Sequence, residues 1–251
     1  MPGFPQSARR HYLWSAALVE RALREAHATD FANVPNVVAL HQVAAARQGE
    51  VAVGAMLAEQ GIRSARDVTL SPLAFTTARG RTAGMLEQVR TDLEFDRIVS
   101  ALVSDAGRSA ESVATAARPN VGYVRFLSPP SCARCAILAG RVYRYSQGFQ
   151  RHPGCDCTMV PTTVANPAFV HDPVALMEAG QVTGLSKADR RAIADGADMG
   201  RIVNVRRSAA GLRSSGRVLA RRGKPTPEAI YARTTTRDEA VQALTAAGYV
   251  R

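Results

Sequence analysis

All four cysteines of this 251-residue chain fall between Cys132 and Cys157, in the pattern Cys-x2-Cys, sixteen residues, His-x2-Cys-x-Cys. A Cys-x2-Cys pair on a tight turn can present two thiolates to one metal ion at about 2.3 Å each. His152, Cys155 and Cys157 then offer three donors for the two remaining places of a tetrahedral site. Cys155 with Cys157 gives a site of four cysteines, although one intervening residue is an unusual spacing for two sulfurs on a single ion. His152 with either of them gives three cysteines and a histidine. The pattern favours Cys132, Cys135, Cys155 and Cys157, with His152 behind them or standing in for one. Buried thiols or a redox pair would produce the same clustering, so the pattern leaves those readings open. A structural zinc ion here would fold a segment that has little apolar core of its own.

The rest of the chain predicts helices. Hydrophobic residues make up 46% of it but aromatic residues only 6%, and alanine supplies much of the difference. Alanine is the best helix former and buries little surface. The expected fold is therefore mainly α with a small α+β Cys/His metal-binding module, elongated, with modest interfaces instead of a single compact core. A first helix is expected over 7–28, with Ser7 as its cap. A second is expected over 36–59 through Val37, Leu40, Ala44, Val51 and Ala55. The stretch 79–117 reads as helical with one break. Thr91-Asp92-Leu93-Glu94 has the form of a capping box there, followed by an apolar stripe from Phe95 to Val113.

The texture changes at Arg118-Pro119-Asn120. Val121–Leu127 is β-branched and aromatic and predicts a short strand, with further strands at 142–145 and 157–160. Tyr143, Tyr145 and Phe149 lie between the cysteine pairs. They would pack under a metal site, or in a nucleic-acid-binding knuckle they would stack on bases. Beyond Pro161, helix signals return at Ser186/Asp189, at Thr226-Pro227-Glu228 and at Thr236/Glu239. These shifts divide the chain into a helical region 1–118, the Cys/His module 119–162 and a basic helical tail 163–251.

Thirty-two basic and twenty-one acidic residues give a net charge of +11. Residues 183–251 hold 14 basic and 6 acidic groups, a net of +8, which leaves +3 for residues 1–182. A basic tail suits nucleic acid or an acidic partner surface. The candidate contacts are Arg206, Arg207, Arg221, Arg222 and Lys224, expected in segments that a partner orders. No apolar run approaches the roughly 18–20 residues needed to span a bilayer. The N-terminal segment lacks a secretory apolar stretch, so no membrane role and a cytoplasmic site of synthesis are expected.

Cys132-Ala-Arg-Cys135, Leu138-Ala-Gly140, Tyr143 and His152-Pro-Gly-Cys155-Asp-Cys157 leading to Pro161 resemble the Cys/His module of the Mu F-type head-morphogenesis proteins, minor capsid proteins of tailed bacteriophages. The stretches Lys187–Ile193 and Gly196–Arg207 are similar to the version found in phages of actinobacteria. The motif covers about thirty residues, with a weaker likeness over the next seventy. The resemblance implies a structural virion protein made in the host cytoplasm, at the portal vertex or in the head interior. It implies portal, capsid or scaffold proteins as partners and packaged double-stranded DNA as a neighbour.

Some relatives of this kind are labelled capsid maturation proteases, which is the first alternative. A nucleophile with a positioned base is not evident, however. There is no Gly-x-Ser-x-Gly, Cys155 and His152 are crowded by other thiols, and His11, His27, His41 and His171 sit in no recognisable setting. The residues therefore predict no enzyme. A zinc-knuckle regulator that binds nucleic acid outside the virion is the second alternative.

Overall fold

The computed structural model describes residues 6–63, 68–127, 130–145, 157–163, 172–209 and 224–250, without the side chains of 206–209. It is mainly helical with a small sheet region. The chain forms two compact units.

The first unit is built on three long helices: α1 (Gln6–His27), α2 (Val34–Glu59) and α4 (Asp92–Ala116). A short helix, α3 (Arg79–Leu86), leads into α4. α1 runs antiparallel to α2, since Ser7 meets Glu59 and Glu25 meets His41. α2 and α4 run in the same direction: Gln42 reaches the Leu102 carbonyl, and Gly49 lies against Gly107. The core between them holds Ala22, Val34, Val38, Ala45, Leu86, Phe95, Val99 and Val103. Thr91 caps α4, its hydroxyl accepting the Glu94 N–H at 3.2 Å. The Glu94 carboxylate closes back on Arg90 N–H at 2.8 Å, one residue earlier than a capping box requires.

α2 departs from the expected pattern. Beyond Val34 and Pro35 at its start, its buried positions are Val38, His41, Gln42, Ala45, Ala46, Gly49, Ala52, Val53, Met56 and Leu57. The residues that traced it in sequence lie on the other side: Leu40 and Val51 are exposed, and Val37 and Ala44 half-buried. The helix is apolar on every face, so sequence alone does not say which face the core takes. Gln42 is the buried polar exception, and it is satisfied. Its amide donates to Thr77 Oγ1 (3.0 Å) and the Leu102 carbonyl (3.1 Å), and accepts from Thr77 N–H (2.9 Å).

Glu59 closes the other end of the α1–α2 pair. Its carboxylate accepts the backbone N–H groups of Gln6 (2.6 Å) and Ser7 (2.8 Å) and the Ser7 hydroxyl. It thereby satisfies first-turn donors of α1 that have no partner within the helix. The Ser7 hydroxyl bond, aided by the two backbone bonds, holds the Glu59 carboxyl below the usual glutamate range against a smaller opposing effect of burial. A carboxyl depressed on folding contributes stability that is present above its unfolded pKa and lost as pH falls through its folded pKa. Glu59→Gln is therefore expected to cost about 1 kcal/mol at neutral pH, as helix caps do. The deficit should shrink on acidification below the ordinary glutamate range, and urea unfolding of both proteins across pH checks it. A pH-independent difference would contradict the capping assignment.

Three strands complete this unit: β1 (Gly122–Phe126), β3 (Val142–Tyr143) and β4 (Thr158–Thr162), in the antiparallel order β3-β1-β4. Tyr123 pairs with Tyr143 and with Pro161, and Val124 with Val142 and Val160. Val124, Phe126 and Val160 bury one face of the sheet against Ala8, Ala52 and Met56. On its other face Tyr123 and Tyr143 stack with ring centroids 5.4 Å apart. Burial pushes the Tyr123 hydroxyl up to about 12. Tyr143 is thus part of the sheet packing, and Tyr145 is exposed. Phe149 lies outside the described residues.

The second unit contains α5 (Ala133–Ala136), α6 (Pro173–Glu178), α7 (Lys187–Ala194), α8 (Met199–Ala209), α9 (Pro227–Tyr231) and α10 (Arg237–Ala246). It also holds a two-residue parallel bridge between β2 (Ser131–Cys132) and β5 (Val182–Thr183). The segment 119–162 contributes to both units: Leu127–Ala139 and Cys157 belong to the second, and all three strands of the sheet to the first. Ser186/Asp189 and Thr236/Glu239 form full capping boxes, and Thr226 caps α9 with Pro227 in its first turn.

The tail has its expected helices, and the expectation that a partner orders its basic segments is corrected at Arg206, Arg207 and Lys224. Arg206 and Arg207 lie within α8. Tyr249, Ile202, Leu244, Ala192 and Ala240 are completely buried. Asp195 ties three helices together, accepting from Tyr231 Oη (2.8 Å) and Arg237 Nε (2.7 Å) near Arg191. Burial pushes its carboxyl up, and the Arg237 and Tyr231 hydrogen bonds more than reverse that.

Candidate metal centre

Cys132 ends β2 in extended backbone and serves as the N-cap of the single turn α5. Its Sγ accepts the Cys135 N–H at 3.4 Å. Cys-Ala-Arg-Cys has the right length for this turn: the cap and third helical positions carry the two thiols, and Ala133 and Ala136 are small enough to be buried beneath them. An N–H aimed at sulfur favours its deprotonated form, the form that binds metals. Cys132 is half-buried and Cys135 buried.

The turn is fixed from outside. Ser131 N–H donates to the Gln181 carbonyl at 3.0 Å, and the bridge to β5 sets Ser131 opposite Val182 and Cys132 opposite Thr183. Gln181 is in turn held by α6, donating to the Leu176 carbonyl at 2.9 Å. Behind the turn, α5 packs on α6 and α8.

Of the expected ligands, the structure brings Cys132 and Cys135 together on one turn. Cys157 is buried at the start of β4 and belongs to the same unit, but among the described residues no group of three or more Cys, His, Asp or Glu side chains is arranged to hold a metal ion. Cys155 and His152 lie outside the described residues. The donor chemistry of the turn still fits zinc: two sulfurs, one carrying an N–H···S bond, on a backbone braced by a neighbouring strand.

The histidines outside this cluster are engaged in pairs with carboxylates. His11 Nε2 lies 2.8 Å from Glu111 Oε1, with both side chains buried, and joins α1 to α4. His27 meets Asp96 at 2.7 Å on the surface, and His41 of α2 meets Glu25 of α1 at 2.9 Å. His171 lies outside the described residues. Glu111 also lines a cleft of about 590 Å³ with Asp105, Arg108, Ser109, Ser112, Val113 and Met159.

The basic candidates divide. Arg206 and Arg207 occupy the last turns of α8, and Arg221 and Arg222 lie outside the described residues. Lys224 is engaged internally: its ammonium lies 4.1 Å from the Tyr249 ring centroid and donates to the Gly248 carbonyl at 3.2 Å. Burial, with Arg201 nearby, pushes its pKa down. Sequence reasoning saw a charge there, because the tyrosine beneath it is 25 residues away in the chain.

The molecule is thus a helical protein with a small antiparallel sheet and a braced two-cysteine turn. No protein-family model, curated protein or solved structure matches this chain. No helix among the described residues is long and apolar enough to cross a membrane.

Proposed function

We propose that this chain is a minor head protein of a tailed bacteriophage, a structural component built around a closed zinc site. The observation that carries the metal reading is the Cys132–Cys135 turn, with its N–H···S bond and its brace on β5. Cys132 and Cys135 would hold the ion together with two of His152, Cys155 and Cys157. Bound there, zinc would act as a cross-link, since four protein ligands leave no place for a reacting water. The likeness of the cysteine motif and of the 187–207 stretch to the Mu F-type proteins supports the head assignment. In that setting Arg206, Arg207, Arg221 and Arg222 contact packaged DNA or an acidic portal surface, the former by sequence-blind counterion release.

Metal analysis of the purified full chain tests the site. One zinc per chain, lost in Cys132→Ser and kept in His152→Ala, is the expected result for a four-cysteine site. Loss in both variants assigns His152 as a ligand. A metal-free native chain with four reactive thiols overturns the zinc reading. The head role is tested separately, by sedimentation after co-expression with portal and capsid proteins, where the chain should travel with the assembled particles and not remain in the supernatant.

A further inference from the structure

α1 is held to the rest of its unit by small apolar side chains and by carboxylates. Its buried residues are Ser7, Ala8, His11, Ala22 and Ala26, with Leu18, Val19 and Leu23 half-buried beside them. Leu13 is exposed and Trp14 partly so. Alanine buries little surface, so the apolar hold on this long helix is modest. Its polar links are of one kind. Glu59 takes the N–H groups of Gln6 and Ser7 and the Ser7 hydroxyl, Glu111 pairs with His11, Asp96 with His27, and Glu25 of α1 itself with His41. Among the described residues, no other side-chain hydrogen bond or ion pair joins α1 to another helix or strand.

α2 and α4 meet differently. Val38, Ala45, Val99 and Val103 share a core cluster, and the two backbones touch through Gly49 and Gly107. The side-chain hydrogen bond between them, from Gln42 to the Leu102 carbonyl, is uncharged. Acid leaves that contact as it is.

On α1, acid acts at every link. Nδ1 of His11 and of His41 is buried and has no hydrogen-bond partner among the described residues. An Nε2–H donating to the carboxylate satisfies each ring, and a proton added at Nδ1 would find no acceptor. A proton added to the carboxylate removes the charge that the ring N–H answers. The Ser7 hydroxyl chiefly holds Glu59 below the usual glutamate range, and Arg21 and then His41 do so for Glu25. Arg21 travels with α1, so the part of this effect that opposes undocking comes from His41. A carboxyl depressed by docking contributes stability above the ordinary glutamate range and loses it as pH falls through its docked value. The other charges near these contacts are Arg10 by Glu59, Asp105 and Arg108 in the cleft with Glu111, and Arg90 and Asp92 in the pocket that His27 lines. β4, which also packs on α1, carries no titratable side chain. We propose that α1 is an acid-released helix, which leaves α2 and α4 packed together when its four carboxylate contacts are protonated. An isolated helix of this length is marginal in water, so α1 unfolds once undocked. Its departure opens the two core clusters that Ala8, Ala22 and Ala26 help to close.

Hydrogen exchange of the full chain, read by mass spectrometry and corrected for the intrinsic pH dependence of exchange, tests this. Between about pH 7 and about pH 4 the amides of 8–27 should lose protection roughly tenfold or more, while those of 92–116 keep theirs. Trp14, the chain's only tryptophan, lies on α1, and its quenching by acrylamide should rise with the same midpoint. Glu25→Gln with Asp96→Asn should imitate acid at neutral pH, speeding exchange over 8–27 roughly five- to tenfold. Both side chains are partly exposed, so the circular dichroism of this double variant should match the parent. Protection lost over 8–27 and 92–116 together is ordinary acid unfolding and overturns the proposal. Amides of 8–27 that stay protected in acid overturn it, and so does a double variant that exchanges like the parent. These readouts lie in the first unit, and none depends on whether the cysteines bind zinc.

Discussion

Replacing His11 with leucine is expected to cost the helical unit about 3–5 kcal/mol, the usual result of leaving a buried ionisable group without its partner. His11 and Glu111 are 4% and 5% exposed, and their 2.8 Å contact is the polar link between the first half of α1 and the second half of α4. The loss is asymmetric. His11→Leu strands a carboxyl group, whereas His11→Leu combined with Glu111→Leu removes both groups and restores apolar packing. The double variant should therefore recover much of what either single variant loses, a coupling that a double-mutant cycle in urea measures directly. For a chain of this size the single variant should unfold roughly 10 °C lower, at about 2–4 °C per kcal/mol. A single-variant cost below about 1 kcal/mol would show that Glu111 is instead hydrated through the cleft it lines.

Gly49→Ala is expected to destabilise by about 1–3 kcal/mol although alanine is the better helix former. A Cβ at position 49 would stand 2.5 Å from the Gly107 carbonyl oxygen and 3.2 Å from Glu111 Cγ. The first of these atoms is backbone and can yield only if α4 moves. Gly107 faces Ala45 in the same way, so α2 and α4 touch through a patch with almost no side chain on either side. Gly54 is the internal control. It lies in the same helix, and a Cβ there meets only the end of the Arg118 side chain at 3.9 Å. Gly54→Ala should stabilise by about 0.5–1 kcal/mol, through the lower entropy of its unfolded chain. Thermal unfolding of the two variants side by side checks the contrast, and stabilisation in both would mean that the close crossing is not maintained in solution.

Local chemistry was legible in the sequence where it is carried by neighbours in the chain. Ser186/Asp189, Thr226-Pro227 and Thr236/Glu239 mark helix starts that the structure has, because a cap and its acceptor lie within one turn. The three strands of the sheet were also readable from their β-branched and aromatic residues. What escaped were properties settled by distant residues. α2 is apolar all round, so its own pattern could not reveal that Val38, Ala45 and Ala52 face inward while Leu40 and Val51 do not. The bridge of Ser131–Cys132 to Val182–Thr183 is too short to show periodicity. Lys224 looked like one more solvated cation until Tyr249 appeared beneath it. Of the metal motif, the Cys-x2-Cys spacing was readable and did form a turn. The joining of that turn to a strand about fifty residues later was not.

That joining bears on how the protein is made. α1, α2 and α4 are complete once residue 116 has been synthesised, and the core cluster from Ala22 to Val103 draws on nothing further downstream, although Ala8, Ala52 and Met56 still await the sheet. The Cys132–Cys135 turn emerges soon after, but its bracing strand is about fifty residues further along. A ribosome adding roughly 5–20 residues per second separates the two by several seconds. During that interval the nascent chain carries the three helices and, beyond them, an unbraced pair of thiols. Those thiols are then open to metal capture, or to oxidation, before β5 exists to hold them.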